Sequence, residues 1–260
     1  MISVLSVVKG RYDITLDSFK SIWDKSSDEN NIEHLIMFDL KEKKMKEMVE
    51  DYAEKSFKIG RKVACYHVSF EESSYKYRSM HRHYWNRLAL SARGSVVFGL
   101  CNDMFIDTYG YDKIIEKAVD SFEYSVGHDY FQILIGDDFE ESHDYSPCLV
   151  MTRPCIEVFN GIAPDEISSQ GADQYVYNIF RSTDSQSIID LRDYVKITQK
   201  CVQNGTYNED EVQTERPVFD QDRAEWPFFY DLLYKKGYYY HKLNNLILRS
   251  IMRKMHYEKN

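Results

Sequence analysis

The sequence predicts an α/β domain built around a largely parallel sheet, and three features predict it. The stretch from Ile2 to Val68 alternates apolar strand runs with helical patterns, β-α-β-α-β, which is how parallel strands joined by crossover helices read. A continuous apolar run, Val96-Val97-Phe98-Gly99-Leu100-Cys101, follows a short helical stretch and suits a strand covered on both faces. Acids stand at two strand ends, Asp39 and Asp103, and ligands of open α/β sheets bind just beyond the carboxyl ends of strands.

Taken in order, Ile2 to Val8 reads as the first strand. The N-terminus MISVLSVVKG is apolar but lacks a basic leader and a small-residue cleavage site, so it is read as a strand rather than a signal peptide. Lys9-Gly10-Arg11 makes a loop. Leu16, Phe19, Ile22 and Trp23 fall at helical spacing and predict a helix over Asp17 to Trp23. Ser26 to Asn31 is polar and turn-like. His34 to Phe38 is a second apolar strand, ending at Asp39. Lys41 to Phe57 is a charged amphipathic helix with Met45, Met48, Val49 and Tyr52 on one face, and Lys62 to Val68 is a third strand.

Ser69 to Arg82 is rich in Tyr, Ser and Arg, with little apolar periodicity. Arg78, His81, Arg82 and His83 form a basic cluster that suits an anionic ligand, although each residue taken singly reads as part of a solvated loop. Trp85 to Ala92 is predicted helical, with Leu88, Ala89 and Ala92 as its apolar face and Arg93-Gly94 as its end. Beyond Asp103, Tyr111 to Phe122 reads as a helix and Phe131 to Ile135 as a strand. Gly136 to Ser146 is acidic and irregular, and Cys148 to Met151 is strand-like. Cys155 to Phe159 is a short apolar segment closed by Asn160-Gly161. A helix opens near Asp173 and ends near Arg181, and Ile188 to Val202 is expected to be helical. Asn204 to Asp222 is polar, a loop placed to cover a site. Aromatic clusters follow at Trp226 to Tyr230 and Tyr238 to His241. Lys242 to Asn260 is a basic amphipathic helix suited to packing on the domain, to forming a homodimer or to touching an anionic surface, with packing preferred. The expected organisation is an α/β domain over residues 1–185 and a mostly helical C-terminal extension, 186–260, packed on it.

Composition bounds the function. The 260 residues are 43% hydrophobic and 29% charged, as in an ordinary globular protein. No long uncharged apolar run suggests a membrane span. The five cysteines are odd in number and scattered, with no C-x-x-C, which fits a reducing cytoplasm better than a disulfide framework or a zinc site. A formal net charge of -9 disfavours sequence-independent binding to nucleic acid. Neither a P-loop nor a G-x-G-x-x-G, G-x-S-x-G or H-E-x-x-H motif is present.

The order Asn86, short helix, Ala92-x-Gly94, apolar strand, Asn102-Asp103 resembles the core of family-2-type glycosyltransferases of GT-A fold. The fold so implied is a Rossmann-like nucleotide-binding mixed sheet flanked by helices, with a C-terminal helical extension. In that family an acidic motif, usually Asp-x-Asp, holds a divalent metal and the sugar-nucleotide diphosphate. Asp103 matches its last acid, and Cys101 stands where the first would be. The resemblance implies that Val8 and Arg11, after the first strand, and Asp39, after the second, contact the nucleoside. Arg82, Asn86, Asn102 and Asp103 complete the donor site, and Asp103 with a late His241 holds Mn2+ or Mg2+. Without the resemblance, Asp39 is a candidate helix cap and Asp103 a strand-end acid closing a turn.

A second signature, Asn160-Gly161 through Gly171-Ala172-Asp173 and on to Arg181, resembles the family's acceptor motif. It covers the chain to about residue 182 and implies that Asp173 is the catalytic base of an inverting enzyme. A sugar hydroxyl becomes a competent nucleophile only as its proton is removed, which a positioned carboxylate can do. The departing nucleoside diphosphate needs its charge neutralised by a metal or by Arg or Lys. Without the resemblance, Asp173 is an acid favoured by a helix N-terminus. The implied activity is transfer of a sugar from a UDP- or GDP-sugar to a glycan or other hydroxyl acceptor. Two alternatives remain: transfer to a hydroxymethylated DNA base, against which the acidic charge weighs, and a degenerate domain that binds without catalysis.

Overall fold

Strand β1 (Ile2–Val8) runs through the centre of the molecule because both of its faces are apolar. Ile2, Val4 and Val8 enter one hydrophobic cluster and Leu5 the other, the period-two alternation of a strand covered on both sides. The computed structural model describes residues 1–8, 10–68, 84–137, 145–164, 172–183, 185–200 and 226–257. β2 (Ile32–Asp39) and β3 (Lys62–Val68) follow on one side of β1, and β4 (Val96–Gly99) lies on the other. These four strands are parallel. The sheet continues through β8 (Val150–Thr152), antiparallel to both neighbours, to β6 (Gln132–Leu134) and β9 (Ile188–Asp190), giving the order β3-β2-β1-β4-β8-β6-β9. A small second sheet joins β5 (Met104–Ile106), β10 (Lys196–Gln199) and β7 (Gly136–Asp137).

Helices cover both faces of the large sheet. The helices α1 (Tyr12–Asp24), α2 (Lys43–Lys58) and α4 (Tyr111–Val126) bury Phe19, Ile22, Met45, Val49 and Ile115 on one face. On the other face lie α3 (Asn86–Ser91), α5 (Pro154–Phe159), α6 (Ala172–Thr183) and α7 (Trp226–Tyr257), contributing Leu88, Ile156, Val176 and Leu243. This is the mixed α/β sheet, flanked by helices, that the sequence predicts. Among the described residues, no helix is long and apolar enough to cross a membrane.

Three local expectations change. The helix expected over Asp17 to Trp23 begins at Tyr12, where Arg11 turns the chain in a left-handed conformation (φ 53°, ψ 45°) and its carbonyl accepts the Thr15 N–H. In place of the helix expected over Ile188 to Val202, residues 188–199 form two short strands joined by a turn, and residues 201 and 202 lie outside the described residues. Ile188, Leu191 and Val195 have helix-like spacing, but only Ile188 lies in a strand, β9, while Leu191 and Val195 bound the turn to β10, in which Arg192 pairs with Asp190 (2.6 Å). These short strands are stabilised by pairing with β6, β5 and β7, partners remote in sequence. Gly94 does not end its helix by a left-handed turn. A Cβ there would lie 2.6 Å from the Met1 carbonyl oxygen and 2.7 Å from the Ser3 nitrogen, so glycine is needed for close approach to β1. The Ser69-to-Arg82 linker and the Asn204-to-Asp222 loop lie outside the described residues.

A polar chain threads the core between β1, β2, α1 and α2. Trp23 Nε1 donates to Tyr52 Oη (2.6 Å), and fully buried His34 joins Tyr52 Oη (3.2 Å) to Ser6 Oγ (3.0 Å). Burial pushes the His34 pKa down to about 3, so the folded state holds it neutral.

Two outcomes test this packing. Gly94→Ala forces backbone atoms apart in the central strand and should destabilise the fold by about 1–3 kcal/mol or more, read by urea denaturation. The unfolded chain protonates His34 near its ordinary value while the folded state does not. Stability should therefore fall as pH drops from about 6.5 towards 3, by about 1.4 kcal/mol per unit. His34→Gln should flatten that slope in the same denaturation series.

Candidate functional site

The strand order reverses between β1 and β4: β2 and β3 lie to one side of β1, β4 to the other. Side chains following these two strands therefore face each other across a crevice at the carboxyl edge, where open α/β sheets bind ligands. Arg11 follows β1 and Asp103 follows β4, and Arg11 Nη1 donates to Asp103 Oδ2 at 2.7 Å. The pair is largely out of water, with side chains 13% and 6% exposed. Gln199 Nε2 on β10 also reaches Asp103 Oδ2 (3.4 Å), and the Lys200 N–H donates to the Asp103 carbonyl. Asn102 Nδ2 donates to Thr15 Oγ1 in the first turn of α1 (3.0 Å).

Of the remaining donor candidates, Val8 and Asp39 end β1 and β2 at the same carboxyl edge. Val8 is fully buried at the end of β1. The Gly10 N–H donates to Glu42 Oε2 (3.1 Å), tying the β1–α1 loop to the start of α2. Asp39 ends β2 at the same edge and is 6% exposed. Its Oδ1 accepts the Lys41 N–H (2.9 Å), so it closes the turn ahead of α2, while Glu42 occupies the helix-cap position. Arg82 lies outside the described residues. Asn86 is 2% exposed and turned inward. Its Nδ2 donates to the Ala163 carbonyl (2.8 Å), and its Oδ1 accepts the Ile162 and Ala163 N–H groups (2.9 and 3.2 Å). It latches α3 to the turn after α5, where Gly161 leaves room for it: a Cβ there would meet the Asn86 amide at 2.1 Å. In this arrangement Asn86 positions the backbone after α5.

Asp173 lies in the first turn of α6, its Oδ1 accepting the Gln174 N–H (2.9 Å). The charge of Asp173 acts on Tyr145 and Cys148. Burial pushes the Cys148 thiol far up, Ser146 pulls it part-way back, and the neighbouring Cys101, Asp173 and Asp137 raise it further. Tyr145 is raised by burial and then by Asp173 and Asp137. Tyr145 and Cys148 lead into antiparallel β8, so they stand at the same sheet edge as the end of β4. Arg181, in the last turn of α6, lies over the Tyr177 ring (5.9 Å).

The metal expected from the resemblance meets a different donor set. Mn2+ and Mg2+ take several oxygen ligands, carboxylates foremost. Among the described residues, no group of three or more His, Cys, Asp and Glu side chains is arranged to hold a metal ion. Asp103 is paired with a guanidinium, the Asn102 amide donates to Thr15, and Cys101 stands where the resemblance places the first acid. His241 is exposed on α7 beside Tyr240, and no common donor set joins it to Asp103. These residues do not fit a divalent cation.

Thr15 and Gln199 were not legible as site residues. Thr15 lay ahead of the expected helix, and Gln199 lay within a segment whose spacing read as helical.

Glycosyltransferases share this fold. No family model matches the sequence, and a search of the curated proteins gave no match. Among solved structures, residues 1–349 of TarS from S. aureus in complex with UDP-GlcNAc superpose with a TM-score of 0.60 at 14% identity, over 97% of this chain and 72% of that one. A mannosyltransferase from Pyrobaculum calidifontis, PcManGT, in complex with GDP-Man and Mn2+, gives 0.55 at 12% identity, over 97% and 73%. The UDP complex of the TarS fragment gives 0.54 at 14%, over 76% of this chain and 60% of its own length. The chain spans 36% of a longer TarS structure. At these identities the likeness is one of fold.

The buried ion pair makes a prediction of its own. Arg11→Met leaves the Asp103 carboxylate without its cation and should cost about 3–5 kcal/mol. Adding Asp103→Asn should recover most of that loss, and a double-mutant cycle by urea denaturation should return a coupling of about 2 kcal/mol or more.

Proposed function

We propose that this chain is a glycosyltransferase that takes a nucleoside-diphosphate sugar at the carboxyl edge of β1, β2 and β4. The observation that carries the reading is the Arg11–Asp103 pair across the crevice between β1 and β4, with Asp39 at the same edge. The fold supports it, being shared with proteins bound to UDP-GlcNAc and GDP-Man.

In this reading Val8, the β1–α1 loop and Asp39 hold the nucleoside, Asp39 accepting from base or ribose. Arg11 meets the diphosphate. Its guanidinium is fixed by Asp103, and a preorganised charge stabilises a developing phosphate anion without the cost of reorienting solvent. Asn102 and Thr15 brace the turn that carries Asp103. Asp173 accepts the proton of the acceptor hydroxyl as that oxygen attacks the anomeric carbon from the face opposite the leaving diphosphate, which inverts the configuration. The helix N-terminus beneath Asp173 favours its ionised form. Because the donor set does not fit a divalent ion, no step is assigned to one.

A second reading, a domain that binds sugar nucleotides without transferring them, is favoured by Cys101 standing in the place of an acid. The two separate in one experiment. Thermal-shift titration with UDP, GDP, UDP-GlcNAc and GDP-Man should raise the melting temperature, because a ligand at 100 times its Kd adds about 2.7 kcal/mol to stability. Asp39→Ala should reduce that shift. A transferase should also release nucleoside diphosphate from the donor that binds, and a binding module should not. If no sugar nucleotide shifts the transition, with or without Mn2+, both readings fail. Asp173→Asn should lower turnover by about 10²–10⁴-fold with the donor-induced shift unchanged. Wild-type turnover in that variant removes Asp173 as the base.

A further inference from the structure

Helix α7 has two unlike long faces. Tyr239, Leu243 and Ile247 are buried against α5 and α6, with the Tyr239 ring 5.4 Å from that of Phe159. Lys242 fixes the contact by donating to the Glu157 and Val158 carbonyls at the end of α5 (2.7 and 2.8 Å). The opposite face presents His241 and Asn245 in its middle and is apolar towards its C-terminal end. Tyr238, Leu248, Met252 and Met255 are 59%, 50%, 69% and 54% exposed. Leu248, Met252 and Met255 follow one another at i, i+4 and i+7, so they form one stripe. A packing role for the helix accounts for the first face and leaves the second unused.

Charge decides what the second face fits. The whole chain carries -9, yet residues 232–257 contain six Lys and Arg and no Asp or Glu. Lys254 is neutralised by Glu123 of α4 (2.8 Å). Arg249 and Arg253 flank the stripe, exposed, and form no ion pair among the described residues. Pairing the Leu248–Met255 stripe with the same stripe of a second copy would bring the Arg249 and Arg253 charges of both copies to one short seam. A nucleic-acid backbone would satisfy the arginines but give Leu248, Met252 and Met255 nothing to bury against. An anionic bilayer surface satisfies both: headgroups take the guanidinium groups and the acyl boundary takes the apolar stripe.

We infer that the outer face of α7 docks the protein in the plane of an anionic lipid surface. The site is independent of the catalytic reading, since none of its residues belongs to the crevice. Co-sedimentation of the full chain with vesicles of phosphatidylcholine and phosphatidylglycerol at 7:3, against phosphatidylcholine alone, tests it. Binding should appear only with the anionic vesicles and weaken as salt rises. Removing two surface cations in Arg249→Gln/Arg253→Gln should weaken it about 25-fold. Met252→Ser/Met255→Ser should weaken it as well, with the thermal transition unchanged because these side chains are exposed. Absence of binding to the anionic vesicles overturns the inference, as does binding that either double variant leaves intact. A dimer in sedimentation equilibrium that Met252→Ser/Met255→Ser dissolves overturns it too, and assigns the face to self-association.

Discussion

A guanidinium and a carboxylate facing each other across the reversal of strand order are the constraint around which this edge of the sheet is built. Arg11 and Asp103 lie far apart in sequence, and each sits just past the end of a central parallel strand. Burying such a pair is expensive unless the geometry is good and the remaining polar atoms find partners. The surroundings meet that condition. Gln199 reaches the same carboxylate oxygen, the Lys200 N–H takes the Asp103 carbonyl, and Asn102 braces the turn against Thr15. Arg11 itself occupies a left-handed conformation that a non-glycine residue adopts at a cost, a form of strain that concentrates where function needs a side chain aimed.

The rest of the fold holds the two strand ends in place. β1 is central because its even residues feed one core and Leu5 the other. Gly94 lets the chain entering β4 press against β1, and Ser3 Oγ accepts the Gly94 N–H at 2.7 Å to fix that approach. On the opposite face Asn86 ties α3 to the turn after α5, which leads the chain towards α6 and Asp173. The small sheet of β5, β10 and β7 begins directly after Asp103 and carries Gln199 back to it. Each contact joins segments that only the finished fold brings together.

For the chemistry, what matters is how charge is supplied at this edge. A carboxylate already satisfied by arginine is a weak invitation to a metal ion, and a guanidinium already held by a carboxylate is a preorganised partner for phosphate. The same two side chains thus weigh against one expected role and favour another. The charge of Asp173 raises the pKa values of Tyr145 and Cys148, which precede β8 at the edge where β4 ends.

The sequence by itself determined the β-α-β-α-β opening, the boundaries of β1 and β3, and the placing of Asp39 and Asp103 at or just beyond strand ends. Those follow from local rules: period-two and period-3.6 burial, and polar residues where an apolar run stops. It also marked Arg11, Asn102 and Asp173 as candidates without giving their partners. The tertiary structure decided that Asp103 pairs with Arg11, that Asn86 serves as an internal latch, and that Ile188 to Gln199 forms two strands where spacing suggested a helix. Hydrogen bonds to distant strands outweigh the small propensity difference between helix and strand in so short a segment, and nothing local records where those strands lie. The partner of a buried charge is likewise set by which strand ends meet across a sheet, and that is a property of topology rather than of neighbours in the chain.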